Sequence, residues 1–232
     1  MDDALQAIFF DLDGTLLIEE PIPAVQFVGF CERLGHPLGG EASRRLERWQ
    51  HQYWADRQQV QADFEKHGEE NFWRAHYTQQ LVFMQIAGPL ADYAAQIEEW
   101  FSQVTTFAVI VPNDVVGTLA HLRERGVMVG LVSNRGRPLT DTVAKHGFDG
   151  LFDFTLSAGE AGSWKPEPGI FLRAVEIANA TPETSVYVGD NYYTDVVGAR
   201  NAGLVPVLID RRGIFPDADC RVIREIGELK EL

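Results

Sequence analysis

The stretch Leu5-Gln6-Ala7-Ile8-Phe9-Phe10-Asp11-Leu12-Asp13-Gly14-Thr15 decides the fold. Leu5 to Phe10 is a mainly apolar run without alternation, which reads as a strand buried on both faces, the pattern of a parallel sheet. It stops abruptly at Asp11. Asp11 and Asp13, at i and i+2, then project from the carboxyl edge of the sheet, where open α/β sheets hold ligands. Gly14 lets the backbone turn sharply there. An acidic turn alone would look the same, so the rest of the chain has to decide.

Working outward, comparable runs recur at Val127–Val132, Ser185–Val188 and Val205–Ile209, with a weaker one at Phe152–Leu156. Helical patterns lie between them. One is capped by Asn113 and runs to Arg125 before Gly126; another opens near Pro138 and stops at Gly147. A third spans Pro168 to Asn179, and a short one spans Asp195 to Ala202. Strands alternating with helices imply right-handed βαβ units and a doubly wound, mainly parallel sheet. The stretch from Ile18 to Thr106 breaks that rhythm. It reads as helices over Ala24–Leu34, Ser43–Lys66, Glu69–Ile86 and Leu90–Val104, punctuated by Gly35-His36-Pro37, Gly68 and Gly88-Pro89. The expected organisation is therefore an α/β core of residues 1–17 and 107–232, interrupted by an all-helical insertion of residues 18–106.

Composition narrows the function. The 232 residues carry 20 Lys+Arg against 34 Asp+Glu, a formal charge of −14, with 45% hydrophobic and 23% charged residues. That is an ordinary globular composition with a sizeable core. The acidic balance argues against nucleic-acid binding, which depends on neutralising phosphates with basic side chains. Cys31 and Cys220 cannot build a disulfide framework and lack metal-ligand spacing. Met1-Asp2-Asp3 is acidic where a signal peptide would be basic, and no apolar run approaches ~20 residues. A cytoplasmic protein with no membrane partner is expected.

Three further polar clusters follow strand patterns or the loops between them. Ser133-Asn134 ends the second run; a hydroxyl with adjacent backbone N–H groups can hold a phosphoryl oxygen, and a plain Ser/Asn turn is the structural alternative. Lys165-Pro166 places a lysine in a proline-flanked loop that restricts it. Gly159 and Gly162 precede it, but the glycine spacing is wrong for a nucleotide-binding P-loop, and Pro166 stands where Ser/Thr is required. Asp190 ends the third run, and Asp195 opens the next helix, where it could also serve as an N-cap. Two carboxylates ~4 Å apart repel by about 4 kcal/mol at an effective dielectric near 20. If Asp11, Asp13 and Asp190 meet, Lys165 alone cannot offset that. Either a carboxylate is protonated or a divalent cation is present, and hard oxygen ligands favour Mg2+ over zinc.

With these residues in order, the sequence resembles the haloacid dehalogenase-like (HAD) hydrolase superfamily, in its branch with a helical cap after the first motif. Asp11/Asp13, Ser133, Lys165, and Asp190 with Asp195 match its four motifs, and Val222-Ile223 to Leu229 resembles its last strand and short helix. The resemblance implies a Rossmann-like core with a cap, and a phosphatase acting on a small phosphorylated metabolite. It implies that Asp11 is the nucleophile and Asp13 the general acid and base. It implies that Asp11, the Asp13 carbonyl and Asp190 hold Mg2+, with Asp195 a ligand through water or orienting Lys165. Ser133, Asn134 and Lys165 would hold the phosphoryl oxygens. Asn191 replaces the Ser of many relatives. Three alternatives share the scaffold: a phosphomutase, a metal-independent 2-haloacid dehalogenase, which lacks the second carboxylate of the first motif, and a non-catalytic binding module. The insertion is expected to act as a lid. Arg44, Arg45, Tyr53, Trp54, Arg57, Trp73 and Arg74 are its candidate substrate contacts, although aromatics at helical spacing also read as the insertion's own core.

Overall fold

The computed structural model describes residues 5–103 and 107–232. The acidic start at Met1–Asp3, and the expected ends of the last inserted helix at Val104 and of the insertion at Thr106, lie outside the described residues. The chain divides into two compact units, Met1–Ile18 with Ile110–Leu232, and Glu19–Val109.

The chain opens with β1 (Ala7–Phe10), every residue of which is buried. β2 (Ile18–Glu20) follows, a three-residue strand paired with β3 (Ala108–Ile110) in a small two-stranded sheet. Neither was legible in sequence, because Ile-Glu-Glu has no apolar period and the three apolar residues of β3 are too few to show one.

Between β2 and β3 lie the helices of the second unit: α1 (Pro23–Arg33), α2 (Ala42–Ala55), α3 (Arg57–Phe83) and α4 (Leu90–Gln103). α1 opens on Pro23, whose fixed φ suits a first turn. The helix expected over Ser43–Lys66 is interrupted at Asp56, which leaves helical geometry and caps α3 by accepting from Gln59 N at 3.0 Å. α3 is itself kinked at Gly68, whose φ of 70° and ψ of 167° lie far from helical values. Phe27, Leu46, Leu81 and Ile97 form the fully buried centre of this unit.

A polar group sits inside its aromatic packing. The His76 ring lies 4.5 Å from that of Tyr53, 5.1 Å from Trp54, 5.7 Å from Trp49 and 6.2 Å from Phe72, centroid to centroid. Its Nδ1 has no hydrogen-bond partner. The buried Asp63 carboxylate nearby accepts from Tyr53 Oη, Gln59 Nε2 and Gln79 Nε2 at 3.0, 3.0 and 2.8 Å.

The first unit continues with α5 (Val115–Glu124), β4 (Met128–Ser133), α6 (Thr140–Lys145), β5 (Phe154–Ser157) and α7 (Ala158–Ala161). Then come α8 (Pro168–Ile177), β6 (Ser185–Gly189), α9 (Val197–Asn201), β7 (Val205–Ile209) and β8 (Arg221–Ile223). The six strands order as β5-β4-β1-β6-β7-β8, and each neighbouring pair is parallel. The expected doubly wound parallel sheet is what the chain forms. β1 lies between β4 and β6, so the chain winds outward from it in both directions and leaves a topological switch point at the carboxyl ends of these three strands. Ile8, Phe10, Leu131 and Val188 pack in one hydrophobic layer, and Phe9, Val132 and Tyr187 in another. Sheet faces covered on both sides explain the uninterrupted apolar runs.

Two helix starts differ from the sequence reading. α5 begins after Asp114, whose carboxylate accepts from Gly227 N at 2.8 Å instead of capping its own helix. The last short helix begins as a π-helical turn, Tyr192–Val196, before α9. Its cap is Asn191, which accepts from Tyr193 N and Thr194 N at 2.9 and 3.3 Å.

The His76 environment generates a test. Burial holds its pKa down from 6.5 to about 4, partly opposed by the Asp63 carboxylate. Below its unfolded value the unfolded chain binds the proton first, so this stability is present above about pH 6.5 and is lost as pH falls towards 4, by roughly 3 kcal/mol in all. Urea denaturation of wild type and His76→Phe across this window is expected to show the wild-type curve falling more steeply with acidification.

Candidate active site

The residues that sequence reading singled out fall at the switch point. Asp11 follows β1, Ser133 ends β4 and Asp190 follows β6, all on the carboxyl edge. Lys165 comes from the loop between α7 and α8, and Asp195 from the π-helical turn. All of them lie within the first unit.

At the centre is a buried ammonium. Lys165 Nζ donates to Asp11 Oδ1 at 2.7 Å and to Asp195 Oδ1 at 2.6 Å. Lys165 is 2% exposed and Asp195 1%. The Tyr187 ring lies 5.4 Å from the same ammonium, and its hydroxyl donates to Val132 O at 2.9 Å. Burial alone would lower the Lys165 pKa, but the Asp11 and Asp195 carboxylates reverse this and hold it well above the ordinary value. Asn134 fixes the lysine's main chain reciprocally: its Nδ2 donates to Lys165 O at 3.0 Å, and its Oδ1 accepts from Lys165 N at 2.7 Å. The Asn134 side chain is thereby taken up in positioning Lys165. Asp195 does not cap its helix; its Oδ2 accepts from Asn191 N at 2.9 Å.

One cation does not balance the acids. Oxygens of Asp11, Asp190 and Asp195 all lie within 4.8 Å of one another. Burial pushes Asp11 up to about 7, against the opposing pull of Lys165. Burial and the neighbouring Asp11 and Asp195 raise Asp190 well above its ordinary value, despite the Thr15 Oγ1 donor at 3.2 Å. Crowded oxygen donors whose charged forms are destabilised fit a hard divalent cation, which would relieve the repulsion and the desolvation together. Backbone shape makes the crowding possible. Gly14 has φ +84°, and a Cβ there would stand 2.2 Å from Asp190 Oδ2; one at Gly189 would stand 2.2 Å from Asp195 Oδ2.

Asp13 is apart from this cluster. Its carboxylate takes a bidentate fork from Arg135, Nη2 to Oδ1 at 2.7 Å and Nε to Oδ2 at 2.9 Å. Ser133 is buried, and its Oγ lies 3.4 Å from Arg135 N. In the helical unit, Tyr53, Trp54 and Trp73 pack around His76, Arg44 pairs with Glu41, Arg74 pairs with Glu98 at 2.7 Å, and Arg45 lies 6.0 Å from the Phe83 ring.

Sequence reading missed Thr15, Arg135, Tyr187 and Arg211. Arg211 donates to Gly14 O and Thr15 O, both at 2.9 Å, and so pins the turn after β1 from the far side. A signal existed for it, since Arg211 stands two residues beyond β7 on the same carboxyl edge. Arg135 directly follows Ser133-Asn134. Tyr187 gave no signal, being one more buried strand residue.

A doubly wound parallel sheet with an aspartate–lysine cluster at its switch point defines a class of α/β hydrolytic scaffold. The haloacid dehalogenase-like hydrolase family model matches residues 5–203, and the chain belongs to that family. It is 33% identical over 145 residues to human haloacid dehalogenase-like hydrolase domain-containing protein 3, covering 62% of this chain and 55% of that protein. It is 38% identical over 119 residues to the glyceraldehyde 3-phosphate phosphatase of Methanopyrus kandleri, covering 50% and 51%. The alignments thus span about half the length of these curated relatives. A 2-haloacid dehalogenase structure from Pseudomonas syringae superposes with a TM-score of 0.55 at 24% identity, covering 98% of this chain and 97% of that one, a likeness of fold. Among the described residues no helix is long and apolar enough to cross a membrane.

The carboxylate crowding is testable without any substrate. In chelator-treated protein at neutral pH, Asp190→Asn is expected to raise the melting temperature, because it removes a destabilised charge while keeping the shape. Lys165→Met is expected to lower stability by about 3–5 kcal/mol, because it strands buried carboxylates without their cation. Thermal and urea unfolding of both variants check the opposite signs.

Proposed function

We propose that this protein is a Mg2+-dependent phosphomonoesterase acting on a small phosphorylated metabolite through an aspartyl-phosphate intermediate. The observation that carries the reading is the buried Lys165 ammonium bridging Asp11 and Asp195, with Asp190 in the same oxygen cluster. Similarity to a glyceraldehyde 3-phosphate phosphatase supports the substrate class.

In this reading Asp11, held at the end of β1, is the nucleophile. Its carboxylate oxygen attacks phosphorus, the ester P–O bond breaks, and Asp13 gives its proton to the departing alkoxide oxygen. A water then attacks the phosphorus of the acyl phosphate and loses a proton to Asp13, so that inorganic phosphate leaves and Asp11 is restored. Lys165 and the Ser133 hydroxyl hold the phosphoryl oxygens, since phosphoryl transfer is governed by positioning and charge stabilisation. Asp195 orients Lys165, and Asn134 fixes that lysine's backbone. Mg2+, held by Asp11, Asp190 and the Asp13 carbonyl, would neutralise charge on the phosphate. The α/β unit carries this chemistry, and the helical unit is its cap domain. Cys31 and Cys220 are both free, which fits a reducing, cytoplasmic setting.

Asp13 and Asp190 argue against the dehalogenase alternative, in which an aspartate attacks carbon with no metal. The direct test is hydrolysis of an aryl phosphate. Turnover is expected with Mg2+, to vanish with a chelator and to return when Mg2+ is restored. Asp11→Asn is expected to lose roughly 10³-fold or more in kcat. Activity that survives both chelation and Asp11→Asn removes the assignment.

A further inference from the structure

The fork between Arg135 and Asp13 stands in the way of the chemistry just described. Both Asp13 oxygens accept from the guanidinium, at 2.7 and 2.9 Å, so a leaving group has to compete with Arg135 for Asp13. The guanidinium is also aimed. Its Nη1 donates to Thr142 Oγ1 on α6 at 2.9 Å, and Gly159 N donates to its backbone carbonyl at 3.4 Å. The next residue, Gly136, is pressed so close to Gly159 that a Cβ on Gly159 would stand 2.1 Å from Gly136 O. The loop behind Arg135 is thus held while its charged end faces water: the Arg135 side chain is 42% exposed and that of Asp13 54%.

An exposed ion pair is weakly held and exchanges partners readily. A planar guanidinium with parallel N–H donors exchanges best to another carboxylate, which matches the fork. Because Arg135 touches the acid residue itself, an incoming carboxylate that displaces Asp13 must lie within a few bonds of the oxygen that Asp13 protonates. This deepens the phosphomonoesterase reading and rests on it.

We propose that Arg135 is a specificity-determining residue that binds a carboxylate on the alcohol portion of the ester and thereby releases Asp13 for proton transfer. The substrate class is the phosphoric monoesters of short hydroxy acids. An ester with a neutral alcohol leaves the fork closed and the acid occupied, so discrimination falls on the chemical step as well as on binding.

The experiment compares kcat/KM of the purified chain for three esters: the phosphate of glycolic acid, its analogue with a hydroxymethyl group in place of the carboxylate, and an aryl phosphate as reference. Wild type is expected to prefer the acid ester over the neutral analogue by roughly 30- to 100-fold. Arg135→Ala is expected to bring that ratio to within about threefold of unity, and Arg135→Lys, which keeps the charge but not the fork, to recover it in part through KM. An Arg135 of purely structural value would lower all three rates together and keep the ratio, which overturns the inference. Wild type that hydrolyses the aryl phosphate without preferring the acid ester overturns it too, and leaves the phosphatase reading standing. Wild type that hydrolyses none of the three removes that reading, and the inference with it.

Discussion

One buried ammonium holds the carboxyl edge of the sheet together. Lys165 is brought by a loop to the place where β1 delivers Asp11 and the π-helical turn after β6 delivers Asp195, and it is hydrogen-bonded to both. Burying an amine or a carboxylate singly is costly, and burying them together is tolerable only with close geometry and satisfied hydrogen bonds. The surrounding structure meets that condition. Asn134 clamps the lysine backbone, Asn191 N satisfies the second Asp195 oxygen, and the Tyr187 ring lies beside the ammonium. The remaining imbalance, with Asp190 beside Asp11, is the kind of stored strain that functional sites keep because the rest of the fold over-determines it.

That over-determination begins with the sheet. Phe9, Phe10 and Val188 are fixed by packing and by parallel pairing, so the residues after them emerge at one edge in a set register. Asp11 N donates to Val188 O at 2.9 Å, which extends the β1–β6 ladder up to Asp11 itself. Gly14 and Gly189 then allow carboxylates to approach backbone more closely than any side chain would permit. A rigid scaffold supplies position, and small residues supply room. The helical unit is built differently, from aromatic rings stacked around His76, and its Trp54 and Trp73 remain partly exposed, which a closed core would not leave.

Much of the fold was legible because buried parallel strands announce themselves. Val127–Val132 and Val205–Ile209 each correspond to an observed strand to within a residue or so. The misses have local causes. Asp56 looks like one more polar residue on a helix face, yet its side chain makes a better cap than a continuation. Asn113 and Asp195 read as caps, but α5 starts after Asp114, whose carboxylate bonds Gly227 N, and Asp195 bonds Lys165; no local pattern encodes either partner. The convergence of Asp11, Lys165, Asp190 and Asp195 followed from their places at strand ends and loops. The withdrawal of Asp13 towards Arg135 did not, since both residues sit at the same edge and only their side-chain directions separate them.

The sequence alone determined the sheet type, the helical interruption and the edge at which the acids gather, because those depend on hydrophobic period and on which residues follow each apolar run. Tertiary structure alone decided which charges face each other. Lys165 chose Asp11 and Asp195, Arg135 chose Asp13, and Arg211 chose the carbonyls of Gly14 and Thr15. Such pairings depend on directions and distances of a few ångströms between residues far apart in the chain, and electrostatic energy at that range changes steeply with both.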